Sequence, residues 1–366
     1  MTTVFFKLGC FAFGGPAAHI AMMEEEVVHK RKWMDRQYFL DLIGATNLIP
    51  GPNSTEMTMH CGHERAGIAG LFVAGICFVF PAVIITGVLA WFYTSYGQLP
   101  EVSPFILGIK PAVLAIIASA ILKLGKKALK SWEIGIIGAL VLIISLLGVN
   151  EVMALLSAGV LGVIYFCSKS KFITTKSIAP FFLLNISSAS LIKLSSFKVF
   201  WTFLKVGAIL YGSGYVLFAY LDAELVTKGW LTRPELIDAI AVGQFTPGPV
   251  LSTATFIGYQ LGGFWGALAA TIGIFLPSFL FVLLLNPLIP KMRKSKVLSY
   301  FLDSVNIAAV AIMLSVLYAM SVDTLVGWRS VLIALISCVL IFGLKKINVM
   351  YIVLGGAVLG YLLHLI

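Results

Sequence analysis

The chain has 366 residues, 60% of them hydrophobic and only 11% charged, with a mean hydropathy of +1.00. Soluble domains carry about 25% charged residues, so a string of soluble domains is excluded and lipid must solvate most of the surface. The net charge of +10 does not indicate nucleic acid, because the basic residues fall in short clusters between apolar segments, as in membrane loops. Cys10, Cys61, Cys77, Cys167 and Cys338 show no CxxC and no paired spacing, and they read as reduced thiols or small core residues. The opening FFKLGCFAFGGP lacks a basic n-region and is interrupted by glycines, so no cleavable signal peptide is expected there.

In chain order, apolar stretches fall near 4–28, 66–93, 104–124, 131–148 and 151–167, then near 199–222, 262–288, 297–320, 329–344 and 348–366. The stretches at 66–93 and 262–288 are nearly free of charge and long enough to cross about 30 Å of hydrocarbon. The second series copies the first. Lys7, Gly9 and Gly14 map to Lys205, Gly207 and Gly212; Glu24 and Glu26 map to Asp222 and Glu224. After one deletion Trp33, Arg36, Asp41 and Asn47 map to Trp230, Arg233, Asp238 and Gln244, and Pro50-Gly51-Pro52 to Pro247-Gly248-Pro249. After another, Gly67, Gly70 and Pro81 map to Gly263, Gly266 and Pro277. The expected organisation is an N-terminal repeat over 1–167, a cytoplasmic linker over 168–198 and a C-terminal repeat over 199–366.

Equivalent loops carry opposite charge. The loop at 94–103 has no Lys or Arg, whereas its counterpart at 290–296 is PKMRKSK; GVNE at 148–151 is answered by LKKIN at 344–348. Under the positive-inside rule this predicts two inverted-topology repeats. Inversion requires an odd number of crossings per half. The fold class expected is therefore an all-α polytopic membrane protein with five transmembrane helices per repeat, plus a re-entrant segment containing PGP.

Two places in each repeat break helical regularity: FGGP (Phe13–Pro16), mirrored by YGSG (Tyr211–Gly214), and LIPGPNS (Leu48–Ser54), mirrored by FTPGPVLS (Phe245–Ser252). Proline removes a donor and glycine permits close backbone approach. Backbone opened at membrane depth must line a cavity or be buried in protein. Such interruptions at matching positions of inverted halves point to a transporter binding site, and the helix N-termini they create attract anions; tight packing or kinking is the other reading. Pro52 and Pro249 suit the first helical turn. Candidate substrate-binding residues are Gly14, Gly15, Pro16, Pro50, Gly51, Pro52, Asn53 and Ser54, with Gly212, Ser213, Gly214, Gln244, Pro247, Gly248, Pro249, Ser252 and Thr253.

Lys7 and Lys205 lie within apolar helix segments, either as counter-charges for an anion or as snorkelling side chains. Lys110, beside Pro111, lies deeper in a span, and Asn306 takes its place in the second half. His19, Glu24, Glu26, Asp222 and Glu224 are proton-coupling candidates, or else they close the helix at the interface by pairing with nearby basic residues. His60-x-x-His63-Glu64 lacks further ligands and is not HExxH, so no metal and no cofactor is expected. No Ser/His/Asp, Asp/Asp or metal constellation within the spans suggests a membrane enzyme.

FGGPAAHIAMMEEEVV followed by LIPGPNS, repeated as YGSGYV and QFTPGPVLSTATFIGY, resembles the chromate ion transporter (CHR) family as a single-chain, two-domain member, over essentially the whole chain. The resemblance implies a secondary transporter that exports chromate from the cytoplasm across the cell membrane and confers chromate resistance. It also implies functional roles for Gly14, Gly15, Pro16, His19, Pro50, Gly51 and Pro52, with Gly212, Gly214, Pro247, Gly248 and Pro249. Because FGGP is degenerate in the second copy, unequal roles for the halves are expected. The proton motive force is the expected drive; import or exchange of sulfate or a related oxyanion, with chromate as a side substrate, is the alternative. The partners expected are the oxyanion, protons and the bilayer, with a homodimer left open.

Overall fold

The computed structural model describes residues 1–12, 16–46, 49–97, 99, 101–149, 151–169, 195–210, 214, 216–285, 295–343 and 348–365. Among them all regular structure is helical. Gly14, Gly15, Asn47, Gly212, Ser213, most of the 168–198 linker and the basic residues at 290–294 and 344–347 lie outside the described residues.

The opening helix is broken where the glycines predict. Helix α1 (Thr2–Phe11) ends at Ala12, whose backbone is extended (φ −81°, ψ 95°), and α2 restarts at Pro16 and runs to Glu24. In the second half α8 (Ser196–Ile209) ends at Leu210 in the same way (φ −71°, ψ 109°), and a short α9 follows (Leu217–Leu221). Both α2 and α9 then widen into a π-helical turn, Glu25–Lys30 and Asp222–Val226.

The PGP segment enters and leaves on one side. Helix α3 (Arg36–Thr46) leads to Pro50–Pro52, and α4 (Asn53–Tyr96) follows. Helix α4 is two rods, because Ala66 (φ −151°, ψ 30°) and Gly67 (φ 60°, ψ −149°) leave the helical region. α3 and the arm 53–65 are about 16 and 20 Å long at 1.5 Å per residue, well short of the roughly 30 Å of hydrocarbon. The Tyr38 hydroxyl at the start of α3 donates to Glu64 at the far end of that arm, at 2.7 Å. The two rods thus form a hairpin with the PGP at its tip, the geometry expected of a re-entrant segment. In the second half α10 (Arg233–Phe245), started by a Thr232/Glu235 capping box, leads through PGP to a 3-10 turn (Val250–Ser252) and α11 (Thr253–Leu285). Helix α11 breaks at Gly262 (φ −153°, ψ 22°) and Gly263 (φ 61°, ψ −150°). The left-handed φ of Gly67 and Gly263 is what requires glycine there.

The sequence expectation is corrected at one point. Pro52 and Pro249 are the N-cap residues, in extended conformation (ψ 104° and 130°), rather than members of the first turn. The preceding glycines turn the chain with positive φ, 140° at Gly51 and 88° at Gly248, and the extended proline then re-aims it, so the helix starts one residue later.

Each short arm folds back on its long arm through backbone contact. A β-carbon on Gly62 or Gly70 would overlap the carbonyl of the other, and Gly258 and Gly266 repeat the arrangement. Thr255 and Thr271 share a 2.8 Å hydrogen bond across the second of these hairpins. Close approach of small residues, rather than apolar burial, is how helices associate where the solvent is already apolar.

The remaining helices are α5 (Ser103–Ala128), α6 (Trp132–Leu146), α7 (Glu151–Lys169), α12 (Lys296–Thr324), α13 (Trp328–Gly343) and α14 (Val349–His364). Helices α4, α5, α11 and α12 are long and apolar enough to cross a membrane, and shorter apolar helices accompany them. Exposed Phe80, Ile84, Val88 and Trp91 give the long arm of α4 a lipid-facing stripe. The halves exchange helix pairs: α6 and α7 pack on α12, whereas α13 and α14 pack on α5. Gly108 abuts Gly356 and Gly360 at one of these seams, and Gly162 abuts Ser304 at the other.

Gly70→Val and Gly258→Val should therefore each cost about 1–3 kcal/mol through overpacking and lower the thermal midpoint in detergent. Gly355→Ala, where a β-carbon meets nothing within 4 Å, should leave it unchanged. Equal midpoints for all three would contradict the hairpin packing.

Candidate functional site

A helix that stops at membrane depth leaves its last carbonyls without intrahelical partners, and such groups are costly in hydrocarbon unless protein satisfies them. Ala12 and Leu210 are these stopping points. The Gly51 N–H of the first half donates to the Leu210 carbonyl of the second at 2.6 Å, and the Gly248 N–H of the second donates to the Ala12 carbonyl of the first at 3.0 Å. Each PGP tip thus closes the broken opening helix of the opposite half.

His19 joins this junction from α2. Its Nε2 lies 3.0 Å from the Ala12 carbonyl, which can only accept, so Nε2 carries the hydrogen. Its ring stands edge-on to Phe78 at 5.6 Å, and Nδ1 is buried without a hydrogen-bond partner among the described residues. Pro16, the first residue of α2, and Asn53, the first of α4, place two helix N-termini around the junction.

The tips are lined with buried polar atoms lacking partners. Thr55, Glu56 and Ser252 are fully buried, and neither carboxylate oxygen of Glu56 nor the hydroxyls of Thr55, Ser252 and Ser278 has a hydrogen-bond partner among the described residues. Gln244 Nε2 belongs to the same class. A β-carbon on Gly51 would overlap Glu56 Oε1 and lie 2.5 Å from Ser278 Oγ, so the first tip, its own carboxyl and a hydroxyl of the other half are packed together. With Thr55, Glu56, Ser252 and Ser278 at zero exposure, the described part of the junction is closed to solvent in this conformation.

The predicted residues divide accordingly. Pro50, Gly51, Pro52, Ser54, Pro247, Gly248, Pro249 and Ser252 are buried in the tips, and Gly214 packs beside them against Val250 and Leu251. The N–H groups of Gly51 and Gly248 are engaged by the opposite half, and the Thr253 hydroxyl donates to the Val250 carbonyl at 2.7 Å. The acidic candidates lie elsewhere, in ion pairs. Glu24 pairs with Arg36 at 2.9 Å; Glu26 pairs with Lys30 at 3.0 Å and Arg31 at 3.3 Å. Asp222 pairs with Arg233 at 3.0 Å, and Glu224 is held by both Lys205 and Lys228. Pairing with nearby basic residues, the alternative reading for these carboxylates, matches this geometry. Lys205 is neutralised by Glu224, while Lys7 is exposed and borders a surface cavity of about 760 Å³ with Glu25, Glu26, Lys30 and Arg31.

Sequence reasoning passed over Glu56 and Ser278. The signal for Glu56 was a carboxyl one turn beyond PGP in an otherwise uncharged helix start. For Ser278 it was a hydroxyl beside Pro277, where the first half has Ala82.

The chromate transporter family model matches residues 1–163 and 197–361, almost the whole chain in two segments. The chain belongs to the chromate transporter family. A chromate transport protein of Cupriavidus metallidurans is 31% identical over 97% of this chain and 90% of its own length. A probable chromate transport protein of Synechococcus elongatus is 29% identical over 98% and 94%, and a chromate transport protein of Pseudomonas aeruginosa 29% over 98% and 90%. No solved structure matches the chain.

Gly51→Ala forces a β-carbon into a packed tip at φ 140° and should destabilise the protein by about 1–3 kcal/mol. Glu56→Gln, a neutral isostere, should keep the wild-type thermal midpoint. A Gly51→Ala midpoint equal to wild type would contradict the packing described at the tip.

Proposed function

We propose that this member of the chromate transporter family is a secondary transporter that exports chromate, or a related tetrahedral oxyanion, across the cytoplasmic membrane and draws on the proton motive force. The observation that carries this reading is the junction itself: two PGP tips, each closing the broken helix of the other half, lined by buried hydroxyl and amide donors with no partner among the described residues. The chemistry fits a tetrahedral dianion, which takes hydrogen bonds from several directions and gains from nearby helix N-termini. The names of the full-length relatives supply the choice of chromate.

In this mechanism the Gly51–Leu210 and Gly248–Ala12 bonds break as the tips part, and donors from Thr55, Ser252, Ser278 and Gln244 turn to the anion. Sequence repeats over 1–167 and 199–366 with inverted topology would supply the two alternating faces by moving against each other. Because the PGP glycine N–H groups are held in the closed state, they become donors to the anion only after the tips separate.

Uptake of labelled chromate into inside-out vesicles containing the protein tests this reading. Accumulation that requires an energised membrane and collapses with an uncoupler is the expected result. Accumulation of sulfate with chromate acting only as a competitor would make sulfate the substrate, and movement of neither would overturn the reading.

A further inference from the structure

Lys110 lies about two turns inside α5, a helix apolar enough to span the membrane, and its Nζ is 3.2 Å from Asp238 Oδ2 on the re-entrant helix α10 of the other half. The Tyr93 hydroxyl, from the long arm of α4, donates to the same oxygen at 2.7 Å. Asp238 is 5% exposed, and its second oxygen, Oδ1, is buried with no hydrogen-bond partner among the described residues. Two elements, α5 and α4, thus converge on one carboxylate oxygen of α10.

Stability alone does not account for such a pair. A buried ion pair is on average no better for folding than apolar residues of the same volume, and ionisable groups within membrane spans are expensive and functional. The groups acting on Asp238 are Lys110, Tyr93 and Glu235, the last from its own helix. On the other elements packed against α10, Asp222 and Asp323 are held by Arg233, Glu224 by Lys205 and Lys228, and Asp303 by Lys130. Lys110 is thus the cation paired with the buried middle of α10, the helix that leads to Gln244 and the second PGP tip.

We propose that Lys110 and Asp238 form an exchange site in which the oxyanion displaces the Asp238 carboxylate from Lys110 and Asp238 takes up one proton. This inference rests on the transport reading and names its cation and its proton carrier. The closed state holds a neutral Lys–Asp pair. The loaded state holds Lys110 against the dianion and a protonated Asp238 still bonded to Tyr93. One proton then travels with each dianion, so one net negative charge leaves per cycle. The membrane potential, negative inside, is then the component of the proton motive force that drives export.

The test uses the purified full-length protein in proteoliposomes, with labelled chromate and an imposed potassium-diffusion potential. For the wild type the expected charge is one per chromate, with uptake that depends on pH. Asp238→Asn leaves Lys110 unpaired, so chromate should bind at least fivefold more tightly, the pH dependence should vanish and two charges should move per chromate. Lys110→Gln should weaken chromate binding at least tenfold, with partial recovery in Lys110→Arg. Should a single variant fail to fold, Lys110→Gln combined with Asp238→Asn leaves no lone charge, and it should fold but bind chromate at least tenfold more weakly. Variants that match wild type in charge per chromate, pH profile and affinity overturn this proposal while leaving transport intact. A wild type that moves neither chromate nor sulfate overturns the transport reading, and this one with it.

Discussion

The fold turns on an unusual use of the main chain: two helices are stopped in the protein interior, and the carbonyl at each stop is answered by a glycine N–H from the other half, at 2.6 and 3.0 Å. Everything else follows from having to deliver that N–H. A turn with positive φ must present it, so glycine sits between two prolines that cannot themselves donate. The tip must reach the stop without crossing, so two short rods carry it in and out. The rods must lie close to their neighbours, so glycines line the hairpins and the face of α1 against α4, where Gly9 touches the Phe78 carbonyl.

The exchanged helix pairs give this junction a frame. With α6 and α7 held on α12, and α13 and α14 held on α5, neither half can close its own core, and a shift of one tip is felt by both. The buried polar atoms that collect at the tips would be a liability in a static membrane protein. Under the proposed mechanism, in which the tips part, the hydroxyls and amide among them are the donors for the oxyanion. Glu56 beside Ser278 and Asp238 beside Lys110 and Tyr93 are buried carboxyl groups, and each sits where one half meets the other.

What could be read from the sequence was whatever the backbone dictates locally. Glycine and proline have positional meaning even without a partner in view, so the breaks near Ala12 and Leu210 and the turns at the PGP tips followed from Gly14, Pro16, Gly51 and Pro52 and their copies, whereas the re-entrant reading came from the swapped loop charges. Duplication multiplied that signal. Contacts between distant side chains were not legible. Nothing near Lys110 in the sequence announces Asp238, because the pair exists only where α5 meets the other half's re-entrant helix, and its repeat counterpart, Asn306, carries no charge. For Glu224 the sequence left proton coupling and pairing with nearby basic residues both open, and the structure adds Lys205, from α8, to the local partner Lys228. The prolines were misplaced by one residue because the extended turn needed to re-aim the helix depends on the glycine before it.

Hydrogen–deuterium exchange at the two tips, read in peptides covering 49–58 and 246–256 with and without chromate under transport conditions, tests the central claim most directly. The account predicts strong protection of both segments at rest and a coordinated rise in exchange at both when chromate is being moved, because each tip closes the other half's helix. Protection that persists unchanged during measured transport, or that is lost in one half alone, would contradict it.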